Sequence, residues 1–383
     1  MRKSAPGLCL LFFLACAGAA QTANAPAAPP VFAPRMQPLH AKADVLMDYR
    51  TGRILVSKHP NKKLAPASTT KLMTAYVVFR NLKSGHISLN SQFRVSKKAW
   101  HQGGSRMFLK LGSKVSVENL LKGLLVASGN DAAMTLAQGI AGTESAFVSL
   151  MNHYAWQLGL HNTHYTDPNG LPQPGLHTSA LDLAKLSRAI IQQFPRDYHR
   201  FFDLKSFTWN HIHTYNFNKL LWGNSGVDGL KTGYVKSVGY NLAASAKRGK
   251  MRLIGVVMGA NKPKASSAAN YRNLARVTGA LLNYGFRFYS THKLYSAGQP
   301  VFKARVSGGA KDKVALGLRN ALYVTAPSWQ YSYFKTSVKL PNSIKAPLKK
   351  GQPLGHVRVK VGKHLIAKAP LVTLDADPAS SFW

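Results

Sequence analysis

The chain has 383 residues, too many for one typical domain, and 45% of them are hydrophobic, an ordinary fraction for a globular protein with a sizeable core. Lysine and arginine total 51 against 13 aspartate and glutamate residues, so the formal net charge at pH 7 is +38. A surface this basic attracts polyanions such as nucleic acid, anionic lipid and anionic wall polymer. The charge alone does not show whether the protein binds one of these or whether its basicity only reflects the compartment in which it works.

The beginning of the chain has the pattern of a secretory signal peptide. Arg2 and Lys3 precede the apolar stretch 8–15, and Ala17-Gly18-Ala19 is a typical cleavage sequence. The apolar stretch is too short to serve as a stable membrane span. We therefore predict that residues 1–20 are a signal peptide, that the protein is exported, and that nucleic acid is not a partner.

Both cysteines, Cys9 and Cys16, lie inside this leader. Cleavage would leave a mature protein without a thiol, so we expect no disulfide, no thiolate metal site and no cofactor. An alternative is a lipoprotein signal in which Cys16 is lipidated, although residues 13–15 match that sequence pattern poorly.

The next segments in chain order alternate between strand and helix patterns. Residues 21–40 are rich in Ala and Pro and predict an extended linker. Two short apolar runs, 43–48 and 53–57, flank a turn signal and predict a hairpin. Apolar residues then recur at helical spacing in several segments. The predicted helices span residues 69–80, 117–127, 131–139, 182–192 and 271–284.

Two further strands are predicted at residues 242–246 and 253–258. Beyond about residue 292 the pattern changes to strict alternation punctuated by Gly and Pro, as at 357–361. Helices mixed with strands, followed by strands alone, predict an α/β protein with a small all-β C-terminal domain. We place the two domains at residues 41–290 and 291–383.

Three short motifs follow one another along the chain: Ser68-Thr69-Thr70-Lys71, Ser128-Gly129-Asn130 and Lys231-Thr232-Gly233. Each is short enough to occur by chance, and the spacing Ser-x-x-Lys recurs at residues 290–293 and 332–335. Only the ordered set carries information about function.

Local context separates Ser68 from the two chance matches. Ser68 opens a predicted helix, so a step of three residues places Lys71 on the same face one turn away. Ser290 begins no helix, and Ser332 lies in a strand-like run where residues three apart face opposite sides. The structural alternatives are a helix N-cap for Ser68, a solvated helix residue for Lys71 and a turn for Gly233.

A serine hydroxyl is a weak nucleophile that needs a neighbouring base, and none of the three motifs contains histidine. The Lys71 amine can be that base only when neutral. Lowering a lysine pKa from ~10.4 to neutrality takes about three units, or about 4 kcal/mol. Burial, a helix N-terminus and a second cation, Lys231, all lower the pKa in this direction.

The expected reaction is an acyl transfer. Ser68 attacks, Lys71 accepts its proton, and Ser128 relays a proton to the leaving amine. Asn130 holds the substrate amide, Thr232 binds a terminal carboxylate, and the backbone N–H groups of Ser68 and Tyr234 form an oxyanion hole. The predicted site therefore comprises catalytic Ser68, Lys71, Ser128 and Asn130, and substrate-binding Lys231, Thr232, Gly233 and Tyr234.

The motifs and their flanking residues resemble the penicillin-recognising serine enzymes, in particular the D-alanyl-D-alanine carboxypeptidases among the low-molecular-mass penicillin-binding proteins, the group similar to penicillin-binding protein five. The likeness covers nearly the whole mature chain. Its blocks are residues 66–74, 104–109, 128–132, 228–234 and 239–242. Block 104–109 is expected to form the turn and strand before the second motif.

This resemblance implies a β-lactamase/transpeptidase-like core, a sheet flanked by helices, with the β-rich tail as the family's C-terminal domain. It also implies removal of the terminal D-Ala from peptidoglycan pentapeptides through an acyl-enzyme. The expected partners are peptidoglycan stem peptides, with β-lactam antibiotics as covalent inhibitors, and the expected location is the periplasm.

Three departures from the family pattern bear on substrate and membrane contacts. Val235 stands where relatives often have Thr. The loop 261–267 lacks an identifiable carboxylate-binding arginine, and Lys264, Arg272 and Arg276 are the candidates to replace it. The chain shows no C-terminal amphipathic helix, so attachment to the outer face of the inner membrane or to the wall is expected only through the basic surface.

Three other functions compete with the carboxypeptidase. A class A β-lactamase needs a glutamate to activate the deacylating water, and that residue would lie between residues 162 and 180. The only acidic residue in this region is Asp167. A D,D-endopeptidase is disfavoured because such relatives usually lack the β-rich tail. A non-catalytic wall-binding protein would use the tail, where residues 291–383 hold 15 Lys and Arg against 3 Asp, but the intact motifs argue against it.

Overall fold

The computed structural model describes residues 33–223, 226–261 and 264–380. The part of the chain before the tail contains strands β1 (Ala43–Asp48), β2 (Ile54–Lys58), β3 (Gln92–Arg94), β4 (Lys114–Ser116), β5 (Ser206–Trp209), β6 (Ile212–Tyr215), β7 (Val227–Val235), β8 (Gly239–Arg248) and β9 (Met251–Ala260). Its helices are α1 (Lys71–Lys83), α2 (Lys97–Trp100), α3 (Val117–Leu125), α4 (Asn130–Ala141), α5 (Glu144–Gln157), α6 (Ala180–Gln193), α7 (Pro195–Phe201) and α8 (Ser267–Phe288), with 3-10 helices at Ala67–Thr70 and Lys219–Trp222.

A five-stranded sheet in the order β2-β1-β9-β8-β7 forms the centre of this part, and every neighbouring pair is antiparallel. Strands β8 and β9 are almost continuously buried because helices cover both faces of the sheet. Helix α8 covers one face with Leu274, Leu281 and Leu282. The larger helical layer, which includes α1, α3, α4 and α6, covers the other face and contains most of the buried apolar residues.

Five of the helices begin at a serine or threonine whose side-chain oxygen accepts a hydrogen bond from the backbone N–H of the residue three positions later in the chain. Such N-caps satisfy a donor that the first helical turn leaves without a partner. The capping residues are Ser96, Thr143, Ser116, Ser179 and Ser266. The helix boundaries are therefore largely encoded in the local sequence.

The tail is all β except for a 3-10 helix at Ser328–Tyr333. Its strands are β10 (Tyr289–Tyr295), β11 (Pro300–Arg305), β12 (Lys313–Gly317), β13 (Leu322–Pro327), β14 (Lys335–Lys339), β15 (Pro353–Val361) and β16 (His364–Thr373). They form a sheet in the order β11-β12-β16-β15-β14 and the separate pair β10-β13. This part has its own apolar core.

The α/β class with a sheet flanked by helices and a β-rich tail is confirmed. The expected strand run around Ser332 is wrong, since Ser332 lies in the 3-10 helix. Ser290 begins no helix and lies in β10, as expected. The predicted signal peptide and most of the predicted linker lie outside the described residues, and the domain boundaries remain predictions. Among the described helices, none is both long and apolar enough to cross a membrane.

An ion pair holds the first residues of β7 against the rest of the sheet. The Arg252 guanidinium on β9 donates to both carboxylate oxygens of Asp228, at 2.7 and 2.6 Å. The Tyr198 hydroxyl on α7 donates to the same carboxylate at 2.6 Å, and Arg252 also donates to Ser245 Oγ at 2.7 Å. This network fixes the edge strand that carries the third motif.

We predict that Asp228→Ala lowers the free energy of unfolding by about 3 kcal/mol, because it leaves the buried guanidinium without its counter-ion. Urea denaturation measures the change. The control is Glu118→Ala, which removes a surface carboxylate paired with Lys122 and Arg200 and is expected to cost about 1 kcal/mol or less. Equal losses in the two variants would contradict a structural role for the Asp228 network.

Candidate active site

Ser68 lies in the 3-10 helix that leads directly into α1. It does not cap either helix: the N-cap residues are Pro66 and Thr70, and neither makes a side-chain capping bond. The Ser68 hydroxyl oxygen instead lies 3.1 Å from the Lys71 amine. The first motif thus places a serine hydroxyl beside a lysine amine, as its spacing predicts.

The Lys71 amine is completely buried and has three neighbours within hydrogen-bond distance. Besides Ser68, it contacts Asn130 Oδ1 at 2.6 Å and the Asn169 carbonyl oxygen at 2.9 Å. The orientation of the Asn130 amide follows from its Nδ2, which donates to the Gly103 carbonyl at 2.6 Å. Two of the three neighbours are therefore groups that can only accept.

A neutral amine has two N–H groups and one lone pair. If Lys71 donates its two N–H groups to Asn130 and Asn169, the lone pair is left for the Ser68 hydroxyl proton. An ammonium group would instead donate all three of its protons and leave nothing to accept. The three contacts fit either protonation state, and in the neutral state the lone pair faces Ser68, so that the lysine can act as a base.

Burial lowers the pKa of Lys71 well below its usual value, and the nearby charge of Lys231 lowers it further. The carboxylates of Asp167 and Asp131 act in the opposite direction but do not reverse the shift. Lys231 is also buried, which lowers its own pKa to about 7. Desolvation penalises the charged form of both amines, so burial shifts Lys71 toward its neutral form.

The second motif lies in the short connection between α3 and α4. Ser128 has a backbone φ of +57° and is 3% exposed. Asn130 begins α4, and its N–H donates to the Ser105 carbonyl at 2.7 Å. The turn brings both side chains to the cavity that contains Ser68.

The expected strand within residues 104–109 is absent, and a side chain explains why. One Asp131 carboxylate oxygen accepts the Met107 N–H at 3.0 Å, and the other accepts the Leu109 N–H at 3.0 Å. Phe108 between them has a φ of +62°. The backbone N–H groups that would pair with a neighbouring strand donate to Asp131 instead. The segment is therefore held against the second motif and does not join a sheet.

The third motif lies on β7, the edge strand of the central sheet. Lys231 is 2% exposed and donates to the Thr232 carbonyl at 3.1 Å. A Cβ at Gly233 would lie 2.9 Å from both the Pro66 carbonyl oxygen and the Ser68 nitrogen. Gly233 therefore allows β7 to approach the nucleophile, a close approach that a side chain would prevent.

A turn at residues 167–170 completes the site, and the sequence motifs did not identify its role. Asp167 Oδ1 accepts the N–H groups of Asn169 and Gly170 at 2.5 and 2.6 Å. This turn aims the Asn169 carbonyl at Lys71. The composition Asp-Pro-Asn-Gly is a strong turn signal, although it does not reveal which group the turn contacts.

These elements enclose a cavity of about 240 Å³. Its lining includes all the predicted site residues except the two lysines, whose amines lie behind it. The lining residues are Ser68, Gly104, Ser105, Ser128, Asn130, Asn169, Gly170, Leu171, Pro172, Phe217, Thr232, Gly233, Tyr234 and Tyr271. The lining does not include Val235, Lys264, Arg272 or Arg276, and residues 262–263 of the loop considered for a carboxylate contact lie outside the described part of the chain.

Two family models match the chain: the D-alanyl-D-alanine carboxypeptidase model, peptidase S11, over residues 29–262, and the penicillin-binding protein 5 C-terminal domain over residues 289–379. The D-alanyl-D-alanine carboxypeptidase DacD of Salmonella typhimurium is 41% identical, with 90% of this chain and 88% of that protein covered.

Solved structures show the same likeness. Penicillin-binding protein 5 from Haemophilus influenzae superposes with a TM-score of 0.85 at 38% identity, covering 90% of this chain and 100% of that one. Penicillin-binding protein D2 from Listeria monocytogenes, solved in its ampicillin-bound form, superposes with a TM-score of 0.58 at 26% identity, covering 66% of this chain and 100% of that one.

We predict that Gly170→Ala strongly impairs both folding and reactivity. Gly170 has a φ of +86°, and a Cβ there would lie 1.9 Å from the Ala67 carbonyl oxygen, next to the nucleophile. The matched control is Gly85→Ala, where φ is +77° but nothing lies within 4 Å of the added carbon.

The control variant carries only the backbone strain, about 1–2 kcal/mol. Gly170→Ala adds the steric clash and displaces Ser68, so it should lose more stability and acylate with penicillin at least tenfold more slowly. Thermal unfolding and the acylation rate measure the two effects. Equal stability and equal acylation rates in the two variants would refute the close contact.

Proposed function

Because the chain belongs to the D-alanyl-D-alanine carboxypeptidase family, we propose that it removes the terminal D-alanine from peptidoglycan pentapeptides through an acyl-enzyme on Ser68. The observation that carries the proposal is the contact of 3.1 Å between Ser68 Oγ and Lys71 Nζ. The two acceptor groups that hold the same amine in place support it. The enzyme is a serine-type hydrolase, as the family assignment indicates.

In the acylation step, Ser68 Oγ attacks the carbonyl carbon of the penultimate residue while Lys71 takes the hydroxyl proton. The backbone N–H groups of Ser68 and Tyr234 stabilise the negative charge that develops on the carbonyl oxygen. The C–N bond then breaks, and Ser128 relays the proton from Lys71 to the departing D-alanine amine, which leaves Lys71 neutral again. A water molecule later hydrolyses the ester and restores Ser68.

Substrate binding is assigned to the edge strand. An extended peptide can lie beside β7 as an additional strand, because β7 has a sheet neighbour on one side only. Thr232 and the Lys231 charge bind the terminal carboxylate, and the Asn130 amide holds the peptide from the opposite wall. Gly233 keeps this strand close enough to the nucleophile for both contacts to act together.

A β-lactamase remains the nearest alternative, and Asp167 is the group that would decide it. Asp167 is 1% exposed and lies outside the cavity lining, and one of its oxygens is occupied by the N–H groups of its own turn. It is poorly placed to activate water at an ester on Ser68. The Listeria protein solved with ampicillin supports a long-lived β-lactam adduct on Ser68 here.

For localisation we propose the periplasm, with electrostatic attachment to the anionic outer face of the inner membrane. The basic side chains on the sheet formed by β14, β15 and β16 support this attachment. In the strand register, Lys335 is opposite Lys360, and Arg358 is opposite Lys368. These three strands contain no Asp or Glu. Like charges placed directly opposite destabilise a sheet, so an anionic surface would relieve a repulsion already present.

The serine assignment predicts that Ser68→Ala reduces D-alanine release from a pentapeptide by roughly 10⁴-fold or more and abolishes the covalent penicillin adduct. Intact-protein mass spectrometry and a D-alanine assay measure both. The control is Ser290→Ala, which changes the chance match on β10 and should leave both readouts intact. A penicillin adduct on Ser68→Ala would overturn the assignment. Preferential cleavage of a crosslinked dimer would favour the endopeptidase.

The attachment proposal predicts that neutralising Lys335 and Lys360 together, as Lys335→Gln with Lys360→Gln, weakens binding to vesicles that contain anionic lipid. At about 1 kcal/mol per cation, the loss is roughly thirtyfold. The control neutralises Lys97 and Lys110, which are exposed in the catalytic part, for the same change in net charge. Equal weakening in both variants would show that total charge, and not this sheet, binds the membrane.

A further inference from the structure

Four aromatic rings form a continuous chain beside the active site. The ring centroids of Phe217 and Tyr271 are 5.3 Å apart, those of Tyr271 and Tyr240 are 5.0 Å apart, and those of Tyr240 and Tyr234 are 4.4 Å apart. They come from the segment before β7, from α8, and from two paired strands, since Tyr234 is opposite Tyr240 in the register. We call Phe217, Tyr234, Tyr240 and Tyr271 the aromatic wall.

Three residues of the aromatic wall, Phe217, Tyr234 and Tyr271, line the catalytic cavity. Leu171 and Pro172 also line it. Among the described residues that line the cavity there is no Asp, Glu, His, Lys or Arg. A substrate group that enters here therefore meets ring faces and aliphatic carbons on one side and uncharged hydroxyl and amide groups on the other.

The wall lies on the side where the C-terminal residue of the substrate binds. Thr232, assigned to the terminal carboxylate, lies on β7 between Lys231 and Tyr234. Phe217 is held at the beginning of the same strand, because its neighbour Asn218 donates to the Gly229 carbonyl at 3.1 Å. Phe217 and Tyr234 are thus both held beside β7, the strand that carries Thr232.

The wall is both rigid and accessible. Tyr240 is 5% exposed and packs between two other rings, whereas Tyr234 is 51% exposed and lines the cavity. Burial raises the pKa of Tyr271 to about 12, so its ring is uncharged near neutral pH. A fixed, uncharged surface of this kind binds apolar side chains by excluding water.

We propose that the aromatic wall is a subsite for the side chain of the C-terminal D-residue, and that the enzyme therefore releases larger apolar D-amino acids, such as D-leucine, besides D-alanine. The methyl group of D-alanine would contact only a small part of the wall. A longer aliphatic side chain covers more of it, and one methylene in an apolar pocket changes kcat/KM by roughly tenfold or more. This inference rests on the proposed function.

The test uses N-acylated L-lysyl-D-alanyl-D-Xaa peptides that differ only in the last residue, D-alanine or D-leucine, and measures kcat/KM for release of that residue. The wild-type protein is expected to release D-leucine within tenfold of the D-alanine rate. In Phe217→Ala, the ratio of the D-leucine rate to the D-alanine rate is expected to fall at least tenfold. Phe217→Leu, which keeps an apolar side chain, should retain most of that ratio.

The control is Trp156→Ala, because Trp156 is 78% exposed and lies outside the cavity lining; its ratio should equal that of the wild type. If Phe217→Ala does not fold, as thermal unfolding would reveal, Tyr271→Ser tests the same ratio. D-leucine release more than tenfold slower than D-alanine release, or an unchanged ratio in Phe217→Ala, would overturn the subsite but keep the proposed function. Absence of D-alanine release from the folded wild type would overturn both.

Discussion

The catalytic part of this protein depends on one buried amine. Lys71 has no contact with solvent, and burial of an unpaired ammonium group is costly unless the group loses its proton. The structure supplies no carboxylate in direct contact with the amine; its hydrogen-bond neighbours are an amide oxygen, a backbone carbonyl and the Ser68 hydroxyl. Burial among neutral acceptors makes the amine easier to deprotonate, and a neutral amine has the lone pair that the proposed reaction of Ser68 needs.

Two buried aspartates hold the walls around this amine. Asp131 binds backbone N–H groups of the segment before the second motif, and Asp167 binds those of the turn that faces Lys71. Their charges raise the pKa of Lys71, while burial and Lys231 lower it more. Each carboxylate is directed at backbone donors, so the aspartates shape the site without forming an ion pair with the amine. Gly170 and Gly233 lie closest to the segment around Ser68, and because they lack a side chain the turn at residues 167–170 and strand β7 can pack against that segment.

The sequence was informative for many of the local determinants. The step from Ser68 to Lys71 and the apolar spacing of α3, α4, α6 and α8 depend on residues within one or two turns, so these helices and the first motif were predictable. Helix α5 was not predicted, although Thr143 caps it locally. The strand predicted within residues 104–109 was wrong because the Asp131 side chain, more than 20 positions further along the chain, accepts hydrogen bonds from the backbone N–H groups that the strand would have used. The aromatic wall was missed for the same reason: Phe217 and Tyr271 meet only after β7 and α8 pack together.

The central claim is that Lys71 is neutral when Ser68 reacts, and its side-chain pKa tests that claim directly. Titration of the Lys71 side-chain carbon signals by NMR, assigned by comparison with Lys71→Arg, is expected to show a pKa well below the usual value of 10.5. Lys231→Met removes the neighbouring charge and should raise that pKa. A Lys71 pKa at or above 10.5, unchanged in Lys231→Met, would contradict the account.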